Sequence, residues 1–185
     1  MDFEKVLGSL TSEFKTGKAP YALIGGFAMG IWGVVRATHD LDFLIDKKEA
    51  AHLKSTMVKL KYDVVFESEN TIQFRSKDDA WGSLDFIYAF RQPAMEMLTR
   101  AVTKHVFGDK IKIQALIPED LIGLKLQALV NNPSHKFHDM EDIKNLITVY
   151  GDKIDWGIVQ GHFALFKEDG LFNKLKEDYG KNKAV

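Results

Sequence analysis

Phe3, Val6, Leu7, Leu10 and Phe14 recur at helical spacing and predict an amphipathic helix over residues 2–16. Pro20 and the pair Gly25-Gly26 bound the apolar run Tyr21–Ile24, which reads as a short buried strand. A compact helix over 26–34 follows, in which Gly26, Ala28 and Gly30 leave room for close approach. The next strand is expected at Leu41–Ile45, then a helix over 47–61 with Leu53, Met57 and Leu60 turned inward. Residues 62–67, 71–75 and 83–89 are rich in β-branched and aromatic side chains and predict three more strands. The polar break Ser68-Glu69-Asn70 makes the first two of these a hairpin.

From Gln92 the pattern turns helical. A helix is expected over 93–102, then a small hairpin of 105–107 and 110–115 around Gly108-Asp109. Pro118-Glu119-Asp120 is a helix start, with proline in the first turn and acids set against the helix dipole. Helices follow over about 119–131, 137–150, 156–166 and 169–179. The fold class expected is α+β, a mixed β-sheet flanked by helices and followed by a C-terminal helical region. Residues 1–115 form the α/β core with its N-terminal helix, and residues 116–185 form the helical region.

Composition narrows the chemistry. The 185 residues include 45% hydrophobic and 28% charged side chains, which is enough for a packed core. Lys and Arg number 25 against 26 Asp and Glu, a formal charge of −1, so the overall field draws the chain neither to DNA nor to an anionic membrane. Without cysteine there are no disulfides, thiolate metal sites or cysteine nucleophiles. The N-terminal segment lacks the basic and apolar regions of a signal peptide, and no apolar run reaches the roughly 18 residues that span a bilayer. A cytoplasmic protein with no membrane partner is expected.

The chemistry concentrates between residues 25 and 85. Residues i and i+2 of a strand share a face, so Asp40 and Asp42 are expected to project together. Two carboxylates so placed repel unless a cation or a proton lies between them. Asp85 sits between Leu84 and Phe86 on a later strand, where an ionised acid is costly unless paired or metal-bound. If that strand lies beside Asp40 and Asp42, three carboxylates converge as Mg²⁺ (or Mn²⁺) requires. The turn Gly25-Gly26, opening a helix, presents backbone N–H groups to phosphate. Read alone, a Gly-Gly pair is a tight turn and an Asp-x-Asp pair a solvated strand end. Together on one strand–helix–strand unit they point to a nucleotide site.

These residues resemble the polymerase-beta-type nucleotidyltransferase superfamily, whose pattern is a Gly-Ser or Gly-Gly turn, Asp-x-Asp, and a distal strand carboxylate. The closer resemblance is to AbiEii-type nucleotidyltransferases, which include toxins of bacterial toxin–antitoxin systems. It is carried by Gly25-Gly26-Phe27-Ala28, Arg36-Ala37-Thr38, Asp40-Leu41-Asp42, Leu124-Lys125-Leu126-Gln127-Ala128-Leu129 and Asp139-Met140-Glu141-Asp142-Ile143. The resemblance implies a Mg-dependent transfer of NMP from an NTP to an acceptor hydroxyl, on a tRNA, a protein or a small molecule, with an antitoxin among the partners. It implies Asp40, Asp42 and Asp85 as catalytic metal ligands, and Gly25, Gly26, Arg36, Thr38, Lys125 and Asp139 as nucleotide-binding residues. Gly26 stands where many superfamily members carry serine, and AbiEii-type members share the glycine. Where related toxins show Arg-x-x-Lys-Asp, this chain has His135-Lys136-Phe137-His138-Asp139, both basic positions being histidine. A catalytically silent nucleotide-binding or partner-regulated module of the same fold is the alternative. Arg36 either clamps a triphosphate or neutralises a neighbouring acid. Lys125, in an otherwise apolar helix, either snorkels to solvent or meets phosphate. His135, His138, Asp139 and Asp142 share one helical face and form a second candidate metal site.

Overall fold

The computed structural model describes residues 1–17, 19–132 and 136–183. The chain divides into two compact units, one of Met1–Ile31 with Arg36–Leu116, the other of Trp32–Val35 with Ile117–Val185.

The first unit is a seven-stranded mixed sheet. Helix α1 (Phe3–Gly17) leads into β1 (Tyr21–Ile24), the short α2 (Gly25–Ile31) and β2 (Leu41–Asp46). Asp46 caps the 3₁₀ turn Lys47–Glu49 by accepting from the Lys48 N–H at 2.9 Å. Helix α3 (Ala50–Lys59) follows, then β3 (Tyr62–Glu67), β4 (Thr71–Ser76), β5 (Ser83–Ala89), α4 (Gln92–Arg100), β6 (Val102–Val106) and β7 (Ile111–Ala115). The strand order is β3-β4-β5-β2-β1-β7-β6. Strands β2 and β5 run parallel, as do β1 and β7, and the other neighbours are antiparallel.

Register aligns the apolar positions on one face of this sheet. Leu23, Phe43, Phe86 and Ile72 fall on one row, and Tyr21, Ile45 and Tyr88 on the next. Phe14 of α1 presses edge-on against Phe43 and Phe86, which stack on each other with ring centroids 5.1 Å apart. Phe14, Phe43, Phe74 and Phe86 are all at most 1% exposed. Truncating a buried ring of this kind typically costs about 3–5 kcal/mol. The alternate positions, Asp42, Asp85 and Gln73, face the other way and stay half-buried.

The second unit is helical: α5 (Pro118–Asn131), α6 (Lys136–Tyr150), α7 (Trp156–Leu165) and α8 (Asp169–Lys183). Asp155 caps α7, its side chain accepting from Gly157 and Ile158. The acids expected in the first turn of α5 are there, and both are buried. Asp120, fully buried, pairs with His162 Nε2 at 2.9 Å, and Glu119 accepts the Asp155 N–H at 2.7 Å. These bonds tie α5 to α7. Among the described residues, no helix is long and apolar enough to cross a membrane.

Candidate metal and nucleotide site

Sheet register assembles the acidic site. Because β2 and β5 are parallel neighbours, Asp42 stands directly beside Asp85. Asp40 departs from expectation, since β2 begins at Leu41 and Asp40 lies in the bend before it. Thr38 holds that bend: its hydroxyl donates to Asp40 Oδ1 at 3.0 Å and lies 3.2 Å from the Asp40 carbonyl oxygen. One carboxylate oxygen from each of Asp40, Asp42 and Asp85 lies within 4.8 Å of the other two. All three side chains are half-buried, and they are the one such acidic group among the described residues.

Burial raises the Asp85 pKa from its ordinary value, and the Asp40 charge raises it further. The donor set is three hard oxygens of like charge, half withdrawn from water. Such a set would suit a divalent cation such as Mg²⁺ or Mn²⁺, whose charge would relieve the repulsion.

The glycine turn presses against this cluster. Gly25 has φ +65°, in the left-handed region, and a Cβ there would overlap the Asp42 carboxylate. A Cβ on Gly26 would come 2.9 Å from the Thr38 Cβ. Both glycines are therefore needed to bring the start of α2 against Asp42 and Thr38. Arg36 is exposed on the loop leading to the acids.

Lys125 and Asp139 belong to the second unit, where they meet each other. Lys125 Nζ lies 3.0 Å from Asp139 Oδ1 and 2.8 Å from Asp142 Oδ2. The two acids are 11% and 9% exposed, and the lysine 18%. Asp142, read from sequence as one of a histidine-bearing face, is thus a partner of Lys125. His138 on that face is exposed, and His135 lies outside the described residues. Trp32 packs edge-on against Tyr150, and Trp81 against Tyr62. The Thr38 bond to Asp40 and the Asp120–His162 pair went unread in the sequence. Threonine two residues before an acid was the available signal for the first; the second joins distant segments and has no local signal.

No family model matches the sequence, and no curated protein matches it. Solved structures do match. Antibiotic-resistance factor ANT(2'')-Ia in solution aligns with a TM-score of 0.66 at 15% identity, over 98% of this chain and 100% of that one. ANT(2'')-Ia in complex with adenylyl-2''-tobramycin aligns with a TM-score of 0.66 at 13% identity, over 88% and 97%. Lincosamide antibiotic adenylyltransferase LnuA, lincomycin-bound, aligns with a TM-score of 0.53 at 17% identity, over 79% and 97%. What these likenesses share with the present sheet and helices is the architecture: the chain has the α+β fold of nucleotidyltransferases.

Proposed function

We propose that this chain is a divalent-metal-dependent nucleotidyltransferase, moving a nucleoside monophosphate from an NTP to an acceptor hydroxyl. The observation that carries the reading is the gathering of Asp40, Asp42 and Asp85 within 4.8 Å, against a turn whose Gly25 touches Asp42. Fold neighbours that include an adenylyltransferase and a protein in complex with an adenylylated aminoglycoside support it.

Asp40, Asp42 and Asp85 would hold Mg²⁺ or Mn²⁺, which supplies positive charge against the polyphosphate. The chain's own groups account for the remainder. The Gly25-Gly26 turn offers backbone N–H groups to phosphate oxygens. Asp85, whose carboxylate belongs to the same cluster, takes the proton from the acceptor hydroxyl. The freed oxygen bonds to the α-phosphorus, the α–β bridging P–O bond breaks, and pyrophosphate leaves with the bonding pair. The AbiEii-type motif blocks extend the proposal to a toxin role with an antitoxin partner.

Incubation with each α-³²P-labelled NTP, Mg²⁺ and RNA, protein or metabolite fractions tests the reading. Label is expected in one fraction, and Asp42→Asn lowers the transfer at least about a hundredfold while its circular dichroism is unchanged. Undiminished transfer by the folded variant refutes the assignment. A second reading, a nucleotide-binding module without turnover, is favoured by the engagement of Lys125 with two acids. Calorimetry showing Mg²⁺-dependent NTP binding, with no fraction labelled, selects it.

A further inference from the structure

A row of residues crosses the sheet at the level of the acids: Ile24, Asp42, Asp85, Gln73 and Phe66 stand side by side in register on β1, β2, β5, β4 and β3. Strands are spaced by about 4.8 Å, so Gln73 lies about one spacing and Phe66 about two beyond Asp85. On the β1 side the row is closed, because Gly25 packs on the Asp42 carboxylate. On the β4–β3 side it is open: Phe66 is 51% exposed and Ile87, two residues after Asp85 on the same face, is 36% exposed.

Phe66 reaches this row through an irregularity. Tyr62, Asp63 and Val64 pair regularly with Ser76, Arg75 and Phe74, so Val65 should oppose Gln73 and Phe66 should point to the opposite face. A bulge between Val64 and Phe66 shifts the register by one residue and sets Phe66 opposite Gln73 instead. Bulges re-aim side chains in this way and concentrate beside active sites. Next to the row, exposed Arg75 spends one N–H on Ser83 Oγ at 3.2 Å, Ser83 being two residues before Asp85. Asp63 stands across from Arg75 on β3, with its carboxylate 3.8 Å from Lys77 Nζ; the guanidinium donors not used on Ser83 suit an anionic group.

Resting on the nucleotidyltransferase reading, we infer that the bulged edge of the sheet is the acceptor platform, and that the acceptor is a ring-bearing, anionic hydroxyl compound. Its ring lies on Phe66 and Ile87, its anionic group faces Arg75, Gln73 bonds its polar edge, and its hydroxyl reaches Asp85. In-line attack has the same requirement, since a nucleotide held at the glycine turn leaves the β4–β3 side for the entering hydroxyl. A polycation would meet Arg75 with like charge.

The full-length chain is incubated with α-³²P-ATP and Mg²⁺ and offered three acceptors. Two are anionic, AMP and an oligoribonucleotide with a free 3′-hydroxyl, and distinguish a small from a polymeric source; the third is tobramycin, a polycation. Label is expected on an anionic acceptor and not on tobramycin. Phe66→Ala and Arg75→Glu, both at exposed positions, are each expected to raise the KM for that acceptor roughly tenfold while the KM for ATP stays within twofold. Preferential labelling of tobramycin, or an unchanged acceptor KM in both variants, overturns the inference. If ATP binds with Mg²⁺ but none of the three acceptors is labelled, the acceptor class is wrong and the metal site stands. If Mg²⁺ and ATP do not bind at all, the reading beneath it fails with it.

Discussion

Replacing Asp85 with asparagine removes one of three like charges while keeping the side-chain shape. Its carboxylate oxygen lies within 4.8 Å of that of Asp40, and the two charges repel. At that separation the repulsion is about 1 kcal/mol in a water-like dielectric and about 3.5 kcal/mol at an effective dielectric of 20. The site is half-buried and screened by solvent, so roughly 1–2 kcal/mol is the appropriate range. The sign follows from the direction of the pKa. A carboxyl whose pKa is raised on folding adds stability in its protonated form, and that stability is lost as pH rises through the raised value. Above it, the wild type carries the repulsion and the asparagine variant does not. In EDTA at pH 7.5 the variant is therefore expected to melt about 2–8 °C higher. The gap should close as pH falls into the carboxylate range. Millimolar Mg²⁺ should reverse the order, raising the wild-type Tm and leaving the variant nearly unmoved. A variant less stable than the wild type in EDTA at pH 7.5, or a gap independent of both pH and Mg²⁺, rules out charge repulsion and cation binding at Asp85.

Gly25→Ala forces an L side chain into φ +65° and against Asp42, at a conformational cost of about 1–2 kcal/mol before the overlap is counted; urea denaturation reads the loss, and metal affinity should fall with it. Lys125→Met leaves Asp139 and Asp142 facing each other without their cation, at roughly 3 kcal/mol by chemical denaturation, and adding Asn at both acids should restore most of that loss.

Much of this fold was legible because its pattern is local. Alternation through Leu84, Asp85 and Phe86 marked both a strand and an acid out of place, and β5 runs where expected. Asp40 joined Asp42 for a different reason than strand alternation: a Thr38-braced bend supplies the convergence, and the sequence pattern cannot tell the two apart. The second helix ends at Ile31, short of the expected residue 34, because Gly33 turns the chain at φ +91°. The predicted helix over 47–61 divides into a 3₁₀ turn and α3, since Asp46 caps the turn and competes with α-helical bonding there. Strand β6 begins at Val102, in what was read as the end of a helix, because pairing with β7 overrides local propensity. Lys125 with Asp142, and Asp120 with His162, were illegible because each pair joins two helices whose packing is set by tertiary contacts. The bulge that turns Phe66 onto the acidic face is likewise a property of pairing, invisible in the run Val64-Val65-Phe66.

Diffraction from crystals soaked in Mn²⁺ with a non-hydrolysable NTP analogue shows whether Asp40, Asp42 and Asp85 form one cation centre. An anomalous peak bonded by oxygens of all three aspartates, with the analogue's phosphates beside Gly25-Gly26, is the predicted result. Manganese absent from the triad under those conditions, or bound instead at Asp139 and Asp142, means that the three aspartates hold no catalytic cation.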